Sequence, residues 1–215
     1  MPGSSLWLLP PLTHPLYSIL TKLISSTLPS KCPSEAASSP KVKPHFFLPH
    51  MTLTSDVPPS VYGSDPQAWL DSIPFPSAEH VKVRFGKVKS QDVFYRRCYI
   101  SVGYEGVKDL AGVSRARGVF GEEDERGEKT KEWLEWWRKQ FGPHVSLMYG
   151  DVPITEEKMR EVSRIIVDAG VALPDDGQAA SGERGMYDGW DGGVVWLVPS
   201  DGPIQEWKPI AVIEL

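Results

Sequence analysis

Cysteine is almost missing from this chain: Cys32 and Cys98 are the only two in 215 residues. That number builds neither a disulfide framework nor a metal cluster, and a reduced, intracellular protein is the expectation. Long apolar runs are missing too. No stretch reaches the ~18 apolar residues that a bilayer span requires. The N-terminal run Leu6-Trp7-Leu8-Leu9 is broken by Pro10 and Pro11 with no basic residue ahead of it, so it makes a poor signal peptide. A basic surplus is also absent. The formal net charge of -5 argues against nonspecific binding to long nucleic acid, yet it leaves room for a small anion in a local basic cleft. Histidine is scarce, at five residues, and none form a helical His-x3-His pair. The glycines of 182–193 do not lead into Lys-Ser/Thr, so no nucleoside triphosphate loop is read there.

What is present describes a globular protein. Apolar residues make up 40% and charged residues 24%, in a length that allows one substantial domain or two small lobes. Ser5 to Leu9 reads as a strand. Thr13 or His14 can cap a helix carrying Leu16, Ile19, Leu20, Leu23 and Ile24 at helical spacing. Residues 25–44, rich in Ser, Pro and Lys, read as a flexible surface insertion, and 121–130 as an acidic, solvated loop. His45 to Thr54 reads as one strand, Asp65 to Leu70 as a short helix, and Val81 to Val102 as a hairpin or meander.

Six basic residues lie in that hairpin: Lys82, Arg84, Lys87, Lys89, Arg96 and Arg97. A solvated sheet face accounts for most of them, and one or two reaching a phosphate is the functional alternative. Helices are expected over Val107 to Phe120 and Lys131 to Phe141, the second with Trp133, Trp136, Trp137 and Phe141 on one broad face suited to core packing. Thr155 caps a further helix, and two last strands cover Gly193 to Val198 and Lys208 to Leu215.

One short pattern occurs twice. Pro49-His50-Met51-Thr52-Leu53-Thr54 and Pro143-His144-Val145-Ser146-Leu147-Met148-Tyr149 both read Pro-His-apolar-hydroxyl-Leu. Strand alternation puts His50 with Thr52, and His144 with Ser146, on one face, and turns the apolar residues to the other. The bland account is two hydrogen-bonded histidines at strand ends. Each half of the chain nevertheless holds one motif strand and nearby helices, an echo that suggests an α+β fold of two similar lobes and not a doubly wound parallel sheet. If the pairs meet across a cleft, they suit phosphoester hydrolysis without metal. One neutral imidazole takes a proton from the attacking water, the other supplies one to the departing ribose oxygen, and the hydroxyls donate to the non-bridging oxygens. Unperturbed imidazoles titrate near pH 6.5, which allows one of each form near neutrality. A hydroxyl two residues after histidine is not a usual zinc ligand, and nothing supplies the strained turn of a serine nucleophile.

These two motifs, together with Ser5-Leu6-Trp7-Leu8-Leu9-Pro10, resemble the two-histidine (2H) phosphoesterase superfamily, and in particular its fungal and plant cyclic phosphodiesterase branch. The resemblance covers nearly the whole chain as a single bilobal domain, 1–215. It implies two pseudo-symmetric lobes of antiparallel β-sheet with outer helices and a central cleft. It makes His50, Thr52, His144 and Ser146 the catalytic tetrad, with His144 as base and His50 as acid. It puts Tyr149 near the phosphate and Trp7 near the base, with core packing an equal alternative for both. It implies opening of 2′,3′-cyclic nucleotides to 2′-phosphates. It also implies opening of ADP-ribose 1″,2″-cyclic phosphate to ADP-ribose 1″-phosphate, downstream of tRNA splicing. No metal or cofactor, no long nucleic acid partner, a monomer and a cytoplasmic location are expected, with Golgi association as the alternative location. The competing readings are action on RNA ends or 2′,5′-linked oligonucleotides, and a nucleotide-binding module without catalysis.

Overall fold

The computed structural model describes residues 3–36, 45–174 and 187–215. β1 (Ser4–Leu9) ends at Pro10-Pro11 and leads to α1 (Pro15–Lys22), where His14 Nδ1 accepts from the Leu16 N–H at 3.2 Å. The helix does not stop at Ile24. It continues through a π turn (Leu23–Thr27) into α2 (Leu28–Lys31), and Leu28, Cys32 and Ala36 are buried. The front of the expected insertion at 25–44 is therefore helix and core, because Leu28 and Cys32 continue the apolar spacing of Leu20 and Ile24. Residues 37–44 lie outside the described residues.

β2 (Met51–Val57) is shorter than the strand expected from His45. Pro49 has no N–H for a ladder, and residues 45–50 are held by their side chains instead. α3 (Pro59–Tyr62) and α4 (Pro66–Asp71) follow, the second capped by Asp65. The hairpin is β3 (Lys82–Lys89) and β4 (Cys98–Val102), with a 3-10 turn over Phe94–Arg96 between them. α5 (Lys108–Arg115) ends in a π turn (Ala116–Phe120). α6 (Glu128–Trp136) ends in another (Trp137–Phe141). The acidic loop is not merely solvated: the Glu122 carboxylate accepts from the Thr130 N–H and hydroxyl at 3.1 and 2.6 Å and holds the start of α6. β5 (His144–Met148) carries the second motif, and α7 (Glu156–Asp168) is capped by Thr155. β6 (Gly189–Asp191), β7 (Val194–Pro199) and β8 (Ala211–Glu214) complete the chain; the glycine-rich run before β6 is described only from residue 187.

The strands form a curled antiparallel sheet in the order β6-β3-β4-β5-β2-β1-β7-β8. The order is a four-strand half written twice about its centre, with a motif strand innermost in each half. This is the α+β, two-lobed, antiparallel arrangement expected. The halves meet at one ladder pair, Met51 opposite Val145. One face carries Leu6, Leu8, Met51, Leu53, Ile100, Val145 and Leu197 against Leu16 and Leu20 of α1, Leu110 of α5 and Ile166 of α7, in one buried cluster. The other face carries the motif polar groups and a smaller cluster of Trp7, Leu9 and Val198. Among the described residues, no helix is long and apolar enough to cross a membrane.

Candidate active site

The central ladder pair sets the geometry. In antiparallel register, Met51 opposite Val145 puts Thr52 across from His144 and His50 across from Ser146. Each imidazole thus lies beside the hydroxyl of the other motif. Outward along the same face, Trp7 lies opposite Thr52, Ser101 opposite His144 and Tyr99 opposite Ser146. His50, Thr52, His144, Ser146, Tyr149 and Trp7, the six residues picked out from the sequence, all line one cavity of about 240 Å³.

Both imidazoles are held alike. His50 Nδ1 lies 2.7 Å from the Leu48 carbonyl, and His144 Nδ1 lies 2.9 Å from the Gly142 carbonyl. A carbonyl only accepts, so Nδ1 carries the proton in both rings, and Nε2 is the nitrogen left for a ligand. The rings are wedged by aromatics. Trp7 stacks on His50 with centroids 3.8 Å apart, while Tyr99 and Phe141 flank His144 at 5.0 and 4.8 Å. His50 and His144 are 5% and 6% exposed. Desolvation pushes both down to about pKa 4, against the partial support of the backbone carbonyls. His144 is also lowered by the nearby Arg96 charge, which is not among the causes acting on His50. Both rings are therefore neutral near pH 7.

The hydroxyls differ. Among the described residues the Thr52 hydroxyl has no hydrogen-bond partner, whereas Ser146 Oγ donates to the Tyr95 carbonyl at 2.8 Å. Tyr149 stacks flat on Phe47 at 3.8 Å, and burial raises its phenol pKa, keeping it a neutral donor. Trp7 lines the cavity but has one ring face covered by His50, and its edge meets Trp207 at 5.7 Å. The accessible aromatics of the cavity are Tyr95, 49% exposed, and the half-buried Trp207. No periodicity marks either one in the sequence.

Of the six hairpin cations, Arg96 alone lines this cavity. Lys82 and Arg84 face out and pair with Asp191; Lys87 and Lys89 are exposed. Arg97 is buried but held by Asp92 and the Gly150 and Asp151 carbonyls through Nε and Nη2. Arg96 is buried with a bond to the Tyr99 hydroxyl at 3.3 Å, stacks over Tyr99 and Phe141, and leaves Nε without a partner. No carboxylate among the described residues lies within ion-pair distance of it. A buried cation without a counter-charge is costly unless an anion completes it.

A curled antiparallel sheet whose two innermost strands each present an imidazole and a hydroxyl to one cleft defines a two-histidine phosphoesterase. The family model described as "Cyclic phosphodiesterase-like protein" matches residues 1–215. The chain is 59% identical over 213 residues to a 2′,3′-cyclic-nucleotide 3′-phosphodiesterase of Neurospora crassa, covering 98% of both chains. It is 42% identical over 217 residues to one of Phaeosphaeria nodorum, covering 100% of both, and 26% identical over 237 residues to one of Yarrowia lipolytica, covering 98% of both. The chain belongs to the cyclic phosphodiesterase-like family.

Proposed function

We propose that the protein hydrolyses 2′,3′-cyclic nucleotides to nucleoside 2′-phosphates without a metal ion. One observation carries this reading: two imidazoles, each with Nδ1–H fixed on a backbone carbonyl, line one cavity with Nε2 free.

The steps follow from the charges. A bound phosphodiester brings one negative charge and raises the proton affinity of both rings. The proton settles on His50, because Arg96 opposes protonation of His144. His144 Nε2 then takes a proton from water as the water oxygen bonds to phosphorus. The bond from phosphorus to O3′ breaks on the opposite side, and His50 Nε2–H gives its proton to O3′. One water is consumed, the product is the 2′-phosphate, and the two rings regain their starting states by proton exchange with solvent. Thr52, and Ser146 once turned from the Tyr95 carbonyl, donate to the non-bridging oxygens. Arg96 balances the charge and Tyr149 is a further neutral donor. Trp7 backs His50, and the base lies on Tyr95 and Trp207. ADP-ribose 1″,2″-cyclic phosphate presents a similar cyclic diester and falls under the same proposal, giving ADP-ribose 1″-phosphate.

The test is hydrolysis of 2′,3′-cyclic AMP in excess EDTA with 2′-AMP and 3′-AMP resolved. Formation of 2′-AMP is expected, with kcat reduced about 10²–10⁴-fold in His50→Ala and in His144→Ala without loss of fold. Loss of turnover in EDTA, or 3′-AMP as the product, refutes the reading.

A further inference from the structure

We infer that a second pocket beside the catalytic cleft holds the base of a second nucleotide carried by the same substrate. This rests on the phosphodiesterase reading and extends it to substrates prolonged beyond the reacting ribose. The pocket, about 280 Å³, is bounded by β2 from Thr52 to Asp56, by Arg115, and by Trp133, Trp136, Trp137 and Phe141. Thr52, Ser55, Asp56 and Phe141 line the catalytic cavity as well. A ligand whose phosphate rests at Thr52 therefore reaches both spaces.

The wall has the chemistry of a base site. Trp136 belongs to the aromatic stripe of α6, yet it is 49% exposed where its neighbour Trp137 is 1% exposed. The stripe that sequence reasoning assigned to core packing thus leaves one indole at the mouth of a cavity, stacked on Phe141 at 6.1 Å. Arg115 is fixed against the cavity. Its Nη1 donates to the Thr54 hydroxyl and the Ser55 carbonyl, and its guanidinium lies over Phe120 and Trp133 at 4.8 and 5.2 Å. Its Nε is buried and without a partner. Asp56, held at φ +63° in the left-handed region, is on the same lining, and one oxygen of its carboxylate accepts from the Ser55 hydroxyl at 3.1 Å.

An apolar ligand leaves Arg115 Nε unpaired, at the desolvation cost of a buried polar group without a partner, and offers nothing to the Asp56 oxygen that Ser55 does not engage. A bare phosphate there meets the Asp56 charge. A flat heterocycle satisfies all three features, with faces for the indoles and an edge that both accepts from Arg115 and donates to Asp56.

Steady-state kinetics on two substrates tests this: a nucleoside 2′,3′-cyclic phosphate, and a dinucleotide ending in the same cyclic phosphate. Wild-type protein is expected to show the lower KM for the dinucleotide. Trp136→Ala raises that KM about 5- to 150-fold, the range for one stacked base, and leaves kcat/KM of the mononucleotide within about twofold. Trp136→Phe keeps most of the dinucleotide preference. Equal KM values in the wild type, a preference that survives Trp136→Ala, or an equal change in both substrates overturns the second pocket while leaving the phosphodiesterase reading intact. No turnover of either substrate by folded wild-type protein overturns that reading, and the second pocket with it.

Discussion

Arg96 and Arg97 are neighbours in the sequence with opposite fates. Arg97 points into a cage of carbonyls and Asp92, so its charge is already answered. Arg96 points into the cleft and is answered by one phenol and two ring faces. The first is a strut, and the second keeps an Nε–H without a partner beside the cleft. Arg96→Met is expected to lower kcat about 10²-fold, the scale for losing one preorganised donor to a developing charge. Removing the guanidinium also removes its repulsion of a protonated His144, so the His144 pKa moves up from about 4. Imidazole NMR titration of the variant reads this directly. A His144 titration unchanged from wild type would dissociate Arg96 from the site. Nothing in the order Tyr95-Arg96-Arg97 distinguishes the two cations; the 3-10 turn at Phe94–Arg96 does.

At the level of elements, the two motifs are anchored by different devices that reach the same end. β5 begins at His144, after α6 has closed through its π turn and Gly142 has turned the chain at φ +66°. The Gly142 carbonyl then receives the His144 Nδ1–H, so one glycine sets both the direction of the strand and the tautomer of the ring. A Cβ at Gly142 meets no atom within 4 Å, so the cost of Gly142→Ala is conformational alone. It is expected to destabilise the fold by about 1–3 kcal/mol, read from denaturant midpoints, and to lower kcat by loosening His144. β2 instead begins one residue after His50, and the loop before it is pinned by Phe47 on Tyr149 and by the Leu48 carbonyl on His50. The Pro-His start common to both motifs was legible, and so was the alternation that follows. The loop before His50 was not, because His-Phe-Phe-Leu has strand-like composition and only the missing N–H of Pro49 argues otherwise.

For the whole molecule, burying two neutral imidazoles ties stability to pH. On unfolding, each ring returns to water and an ordinary pKa near 6.5, against about 4 in the fold. Between those values the unfolded chain binds more protons than the folded one. Stability therefore has its full value above about pH 6.5 and falls as pH drops towards 4, by about 3 kcal/mol for each ring. Denaturant unfolding at pH 7 and pH 4 is expected to show this loss, and His50→Gln combined with His144→Gln to flatten it. A double variant with the same pH dependence as wild type would show that the rings are not held neutral.

The sequence by itself determined which four side chains belong together, since alternation along two similar strands places each histidine and hydroxyl on one face whatever surrounds them. It determined the α+β class as well, through apolar spacings of helical and strand period. Tertiary structure alone decided what those side chains face. The single Met51–Val145 pair, formed by residues 94 positions apart, crosses the motifs so that each imidazole lies across the ladder from the other's hydroxyl residue. Packing also decided which of six similar cations enters the cleft, and which indole of the α6 stripe stays at the surface. Local pattern encodes the side of an element on which a residue lies. Only long-range closure of the sheet sets the distance, burial and charge that turn a shared face into a site.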